Sequence, residues 1–199
     1  MMGLLAILAC DGGAGSAGAV DTTELWVASD GRFQVYRYLE ADASDAGLDT
    51  ATPTEELLQA RFGEGGCTGS GGWRVELRVG QQWETSTESG ALHFDDAEGL
   101  SLCGFEEAGG SLVAPDPIVT LWSGDNLQDG DTVTSGSWEV TLAREQDLVT
   151  YFGVFPNSVA FSLKGPDVGP AGWVLHLAPK MGIVLIEAPT FMADLVYVR

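Results

Sequence analysis

The sequence predicts an all-β protein: a curved antiparallel sheet that forms a barrel, a half-barrel or a sandwich and carries one short helix. Residues 73–79 alternate strictly between apolar and polar side chains, the pattern of a strand with one buried face. Short apolar runs recur along the chain between turn-forming dipeptides. The chain also contains 27 glycines and 8 prolines, which favours many short strands over long helices.

The N-terminal elements are a hairpin and an acidic loop. Residues 24–29 and 32–39 are predicted strands, joined by Asp30-Gly31, a dipeptide that two-residue hairpin turns prefer. Residues 41–51 are rich in Ala and Asp and have no periodicity, so they are expected to form an exposed loop.

The helix is predicted over residues 53–62 from its termini. Thr52 is a typical N-cap, Pro53 suits the first helical position, Glu55 completes a capping box, and Gly63 is a typical stop. We expect the helix to cover or plug the sheet through a shared apolar face made of Leu57, Leu58 and Phe62.

Strand-like runs continue from Trp73 to the C terminus, after a Gly-rich link over residues 64–72. Turn signals such as Pro156-Asn157 separate neighbouring runs. An open flat sheet of this size would leave adhesive edges, so the runs are expected to form a meander that curls. The predicted strands are residues 73–79, 82–87, 91–94, 100–105, 118–122, 137–143, 149–155, 158–163, 173–177, 183–187 and 195–198.

The charge of the chain excludes several functions. It has 29 acidic and 9 basic side chains, a formal net charge of −20. Nucleic-acid binding requires clustered Lys and Arg, so no nucleic acid is expected as a partner. Anionic lipid headgroups would be repelled as well. The length and the 45% hydrophobic content suit a single core, and residues 21–199 are predicted to form one β-rich domain.

The N terminus resembles a bacterial lipoprotein signal. Residues 4–9 are apolar and end in the tetrapeptide Ile-Leu-Ala-Cys at Cys10. The run is too short to span a bilayer. The resemblance implies a signal peptide over residues 1–9, lipidation of Cys10, a flexible tether over residues 10–20, and membrane anchoring in the cell envelope, periplasmic or surface-exposed. A buried first strand is the alternative.

A second motif lies in the same region. Residues 13–18 match the G-x-G-x-x-G pattern of dinucleotide-binding loops. That motif requires a following helix and a βαβ unit. The downstream pattern is strand after strand, so a tether explains the glycines and no cofactor is expected.

The number of cysteines is consistent with export of the protein. If Cys10 carries lipid, Cys67 and Cys103 remain as a pair, and in an oxidising compartment they are expected to form a disulfide. Two separate buried thiols are the alternative. The chain has no CxxC motif, and its only histidines are His93 and His176, so no zinc-ligand spacing is present.

Several C-terminal segments together resemble TapB-like bacterial secreted proteins and lipoproteins. Residues 173–184 and 193–197 match their strand pair around an Ala-Pro-Gly-Val-Gly turn. Residues 127–133 are similar to their Lys-Val-Gly-Asp-Thr-Trp turn, and residues 153–159 to their Gly-Thr-Phe strand. The similarity spans residues 92–199. It implies a fold like that of the lipoprotein carriers LolA and LppX, a curved sheet around a helix with an apolar cavity, and no catalytic residues.

No catalytic residues are predicted from the sequence either. Nucleophilic hydrolysis requires a positioned Ser or Cys with a histidine base, and no G-x-S-x-G motif occurs. A glycan hydrolase would need paired carboxylates. Such pairs arise by composition alone in a chain with 29 acidic residues; the candidates are Asp95, Asp96, Glu98, Glu106 and Glu107.

Two sets of side chains are candidates for binding. A curved sheet could leave a cavity lined by Trp73, Trp122, Trp138, Trp173, Leu57 and Phe62, with ordinary core packing as the alternative. A turn rich in oxygen ligands could bind calcium through Asp125, Asn126, Asp129 and Asp131, with a plain Asp/Gly-rich β-turn as the alternative.

These observations predict a non-enzymatic lipoprotein of the cell envelope. The leading hypothesis is that its curved sheet binds an apolar ligand or a partner protein. The alternative is a β-sandwich surface or adhesion module, with or without calcium. An apolar cavity would favour the carrier, and a filled core with exposed aromatic residues would favour the adhesion module.

Overall fold

A computed structural model describes residues 24–40, 52–67, 72–97, 99–109, 112–114, 118–123, 128–166, 172–189 and 191–199. This part of the chain forms twelve β-strands and no α-helix. No described segment is a helix long and apolar enough to cross a membrane. The strands are β1 (Phe33–Glu40), β2 (Thr52–Glu64), β3 (Trp73–Gly80), β4 (Thr87–Asp95), β5 (Gly99–Glu107), β6 (Val119–Ser123), β7 (Thr132–Ser135), β8 (Trp138–Val149), β9 (Val154–Lys164), β10 (Trp173–Ala178), β11 (Gly182–Glu187) and β12 (Phe191–Val198).

All twelve strands belong to one antiparallel sheet. Its order is β6-β5-β4-β3-β2-β1-β12-β11-β10-β9-β8-β7, so each half of the chain is a meander and the first and last strands pair with each other. The sheet curls until its two edge strands, β6 and β7, lie side by side without a ladder between them. The result is a nearly closed barrel, and the predicted all-β, antiparallel curved sheet is confirmed. The predicted signal peptide, Cys10, the tether and the loop over residues 41–51 lie outside the described residues.

Period-two alternation fills the interior of the barrel. On β3, Val75 is 2% exposed and packs inside, while Arg74 and Glu76 point outward and form ion pairs. The same alternation on the other strands buries large side chains from opposite walls. The bulkiest fully buried ones are Trp138, Tyr36, Phe94 and Phe161.

The predicted helix over residues 53–62 is wrong, because this segment is part of strand β2. Leu58, Ala60 and Phe62 are 4%, 3% and 3% exposed and face the interior at period two. Both edges of β2 are hydrogen-bonded, to β1 and to β3. Helix capping contributes only about 1 kcal/mol, and two full ladders with a buried face outweigh it.

The predicted N-terminal hairpin is also wrong. A turn does form at Asp30-Gly31, where Gly31 has a φ of 77°, but residues 24–29 are not a strand. They lie across one end of the barrel instead. Leu25 is fully buried there, and the Trp26 ring lies 4.7 Å from that of Phe94. This segment therefore takes the plugging position that the sequence assigned to a helix.

One further predicted turn lies at a different position in the structure. Pro156-Asn157 lies inside β9, and the β8–β9 turn is at residues 150–153. Asn157 adopts a left-handed conformation, with a φ of 57°, while the ladder continues on both sides of it. The predicted strand over residues 149–155 is therefore the end of a hairpin. Of residues 82–87, also predicted as a strand, 82–86 form the turn before β4, and β7 was not predicted.

The predicted disulfide between Cys67 and Cys103 is present, with a Cα–Cα distance of 5.8 Å. Cys67 follows β2, and Cys103 is fully buried on β5. The bond fastens the β2–β3 connection to the outer face of the sheet. Next to it, the Gly65 carbonyl oxygen lies 3.0 Å from His93 Nδ1, so this connection also covers His93.

Candidate functional site

Three of the predicted lining residues pack inside the barrel. Trp122, Trp138 and Phe62 are 3%, 2% and 3% exposed. The Trp122 ring stacks on Phe161 across the barrel at 5.1 Å. The Trp138 ring lies 6.5 Å from that of Phe105. These ring contacts are with other side chains of the protein.

The other three predicted lining residues are only partly buried, although Trp173 still packs against the interior cluster. Trp73 is half-buried, and its indole Nε1 donates to Asp96 at 2.7 Å. Trp173 packs edge-on against Phe191 at 5.8 Å. Leu57 faces away from its neighbour Leu58, which is in the interior cluster. The structure therefore does not bring the six residues together around one cavity.

Two of the four calcium candidates are described. Asp129 Oδ1 accepts the Arg144 backbone N–H at 2.9 Å, and Asp131 Oδ2 accepts that of Gln128 at 2.8 Å. These are the contacts of acidic turn residues. Asp125 and Asn126 lie outside the described residues, so the calcium site stays a prediction. The described ranges contain no group of three potential metal ligands.

A polar cluster covers the outer face of β3, β4 and β5. Glu106 lies at its centre, 2.9 Å from Arg74 Nη2 and 3.0 Å from His93 Nε2. The hydrogen bond from Arg74 lowers the pKa of Glu106. A glycosidase acid requires a raised pKa, so Glu106 has the wrong protonation behaviour for that role.

A second buried histidine lies on the opposite wall. His176 Nδ1 donates to Glu145 Oε2 at 2.9 Å, and Nε2 lies 3.4 Å from Glu187 Oε2, a distance suited to an ion pair. Burial alone would lower the pKa of His176, but the two carboxylates raise it to about 9. The imidazolium thus links β8, β10 and β11 at neutral pH.

We expect the His176 ion pairs to make stability depend on pH. Because the folded pKa is above the unfolded value of about 6.5, the stabilisation is complete below pH 6.5 and is lost as the pH rises through about 9. The loss is at most about 3 kcal/mol. Urea unfolding at pH 6.5 and pH 9.5 measures it. In a His176→Gln variant this pH dependence should disappear, and an unchanged one would contradict the assignment.

The most distinctive surface feature is the end of the β8–β9 hairpin. The pairing of β9 with β10 stops at Val159, and residues 146–157 continue beyond it as a two-stranded ribbon, here called the arm. The arm tip consists of Val149, Tyr151, Phe152 and Val154, which are 73%, 66%, 50% and 59% exposed. These are four of the eight exposed large hydrophobic side chains in the described part of the chain.

A buried carboxylate holds the arm tip on the barrel wall. Asp194 on β12 lies between Ala193 and Leu195, which face the interior, so its own side chain points outward. Its Oδ2 accepts the Tyr151 backbone N–H at 2.9 Å and an Arg37 Nη2 hydrogen bond at 3.3 Å. The arm therefore passes β10 and β11 on the outer surface. Burial raises the pKa of Asp194, against the opposing effects of Tyr151 and Arg37.

The aromatic rings of the tip are ordered by these contacts. The Arg37 guanidinium lies 4.6 Å above the centre of the Tyr151 ring. Phe152 stacks on Phe155 at 6.0 Å with an interplanar angle of 12°. The tip is thus an exposed apolar surface with a defined shape.

Sequence reasoning missed this surface. One signal was available, because residues 148–158 contain no Asp, Glu, Lys, Arg or His in a chain that is 19% charged. The hydrogen bond from Tyr151 to Asp194 had no such signal, because the two residues lie 43 positions apart in sequence.

The comparisons with known proteins do not assign this chain to a family. No protein-family model matches this chain, and no curated protein matches it significantly. One solved structure from Bacteroides fragilis, described as an exported protein with a YmcC-like fold, is similar at a TM-score of 0.37 and 11% identity. The alignment covers 92% of this chain and 99% of that one. Similarity at this level establishes neither a shared fold nor a shared function.

Proposed function

We propose that this chain is a non-enzymatic, exported protein of the cell envelope that binds a partner protein through the arm tip. The observation that carries the proposal is the cluster of four exposed apolar side chains on an ordered hairpin. Contiguous exposed apolar surface, with aromatic residues at its centre, is characteristic of protein interaction sites.

Export is supported by the disulfide between Cys67 and Cys103, because such bonds persist in oxidising compartments. Lipidation of Cys10, with a signal peptide before it and a tether after it, stays part of the proposal. So does the relationship to TapB-like proteins.

Binding at the surface is favoured over carriage of an apolar ligand inside the barrel. Three of the side chains proposed as lining pack on other interior side chains, as Trp122 does on Phe161. Ring contacts inside the barrel combined with exposed aromatic residues on a hairpin are the arrangement expected of a recognition module. An apolar ligand inside the barrel remains the second candidate only on the resemblance to LolA and LppX.

Photo-crosslinking in the cells that produce the protein tests the arm tip. A benzoylphenylalanine at Phe152 is expected to give a discrete adduct with one protein upon irradiation, because this side chain would lie in the interface. The same residue at Leu112, which is 43% exposed on another face, is the matched control and should give none.

Two outcomes would contradict the proposal. Equal adducts from both positions, or none from Phe152, would mean that the arm tip is not a contact surface. Stoichiometric, non-covalently bound lipid that native mass spectra show and denaturation removes would instead favour the carrier.

A further inference from the structure

We infer that the partner presents an apolar pocket with a basic rim, into which Tyr151 and Phe152 insert. This inference rests on the proposed function, and it specifies the chemistry of the partner surface. It follows from three properties of the arm: its uncharged tip, the charges around the tip, and the order of its rings.

The uncharged tip suits a dry pocket. Residues 148–158 carry no ionisable side chain other than Tyr151. Burying these residues in a partner would therefore desolvate no charged side chain. Desolvation of charge is the main cost of burying polar surface. Tyr and Phe at the centre of the patch are typical anchor residues.

Acidic side chains outnumber basic ones around the tip, by four to three. Asp147, on the β8 side of the arm, is exposed, and Glu145 lies two residues before it at the base of the arm. Glu187 and Asp194 lie on the barrel wall beside them, against the two cations Arg37 and His176. Arg144, next to Glu145, is the third cation, and Asp129 contacts its backbone N–H. With the chain at −20, the complementary rim is basic. The same charge opposes an anionic membrane and a second copy of this chain.

The order of the rings reduces the entropic cost of binding. The backbone N–H and the ring of Tyr151 are both held before any partner arrives, by Asp194 and Arg37. Phe152 is held by stacking on Phe155. An anchor that is already in place loses little conformational freedom on binding.

Synthetic peptides test the inference with the purified chain. An 18-residue amphipathic helix of Leu and Lys is the probe, and helices of Leu and Glu or of Leu and Ser are its controls. We expect binding of the Leu/Lys peptide only, measured by fluorescence anisotropy. The double variant Tyr151→Ser/Phe152→Ser, which leaves the charge unchanged, should weaken it by about tenfold or more.

Two matched controls separate the tip from general charge attraction. Tyr197→Ser removes an aromatic residue that is 48% exposed elsewhere, and it should leave binding unchanged. Asp147→Asn should weaken binding by a few fold at low salt, whereas Glu139→Gln, which removes another exposed acid at the far end of β8, should not.

Each remaining outcome overturns the inference. Equal binding of the Leu/Ser peptide, lost in the tip variant, would reject the basic rim but leave the arm tip as a contact surface. Leu/Lys binding that the tip variant does not alter would reject the pocket. Tip-dependent binding to phosphatidylcholine vesicles, or tip-dependent dimerisation in sedimentation equilibrium, would assign the surface to a bilayer or to a second copy. The proposed function has its own test: it fails if Phe152 gives no adduct or the same adducts as Leu112, and it also fails if the surface is assigned to a bilayer or to a second copy.

Discussion

Replacing Cys67 and Cys103 together by alanine is expected to lower the free energy of unfolding by about 4 kcal/mol. The disulfide joins residues 36 positions apart. On the chain-entropy account, a loop of that length restricts the unfolded state by about that amount. Urea unfolding followed by tryptophan fluorescence measures the change.

The native contacts around the bond act in the same direction. Without it, the β2–β3 connection is free to leave the outer face of the sheet. That movement would break the contact between Gly65 and His93 and expose Cys103, which is now fully buried. The local opening should be visible as faster amide exchange in the Glu106 region than in β10.

Single variants and reduction serve as controls for this prediction. Cys67→Ala alone should cost about as much as the double variant, since either change breaks the bond. Dithiothreitol should reproduce the effect on the unmodified chain and should not alter the double variant. An unchanged unfolding midpoint in all three experiments would show that the cross-link contributes no stability.

The fold class could be predicted because alternation is a local signal. The strand at residues 73–79 is recognisable from its own side chains, and β3 covers residues Trp73–Gly80. The helix over residues 53–62 failed because its capping residues and its period-two face gave conflicting signals. Pairing with strands on both sides decided the conflict, and that information lies elsewhere in the chain.

The arm was not predictable for a related reason. Residues 149–155 look like a buried strand because they are apolar. Phe155 is buried, but the four residues of the arm tip are exposed because β9 extends beyond the last residue of β10 that pairs with it, which no local pattern encodes. The hydrogen bond between Tyr151 and Asp194 joins the arm to β12 across two intervening strands, and a single sequence does not reveal such a contact. The candidate site therefore depends on strand lengths and register more than on any motif.

Replacing Trp138 by alanine is expected to cost about 3–5 kcal/mol of stability, because it removes the bulkiest fully buried side chain in the described interior. The indole ring lies directly over the backbone of Gly165, and it meets Phe105 from the other edge of the sheet. It therefore fills the region where the barrel is not closed by hydrogen bonds. Urea unfolding measures the loss, with circular dichroism to verify that the strands remain.

The contact with Gly165 allows a sharper form of this prediction. A Cβ atom at position 165 would overlap the indole ring, so Gly165→Ala should cost about 1–3 kcal/mol through overpacking. At Gly63 the nearest atom to a new Cβ is Asp30 Oδ1 at 3.9 Å, so Gly63→Ala should change stability by less than about 0.5 kcal/mol.

A double-mutant cycle then tests whether the cost at position 165 comes from the ring. With Trp138 already replaced by alanine, the space above Gly165 is empty, and Gly165→Ala should cost nothing further. A coupling energy of about 1 kcal/mol or more between the two sites is therefore expected. If the two costs were simply additive, the ring would not be in contact with this glycine. The gap between β6 and β7 would then have to be filled by other side chains.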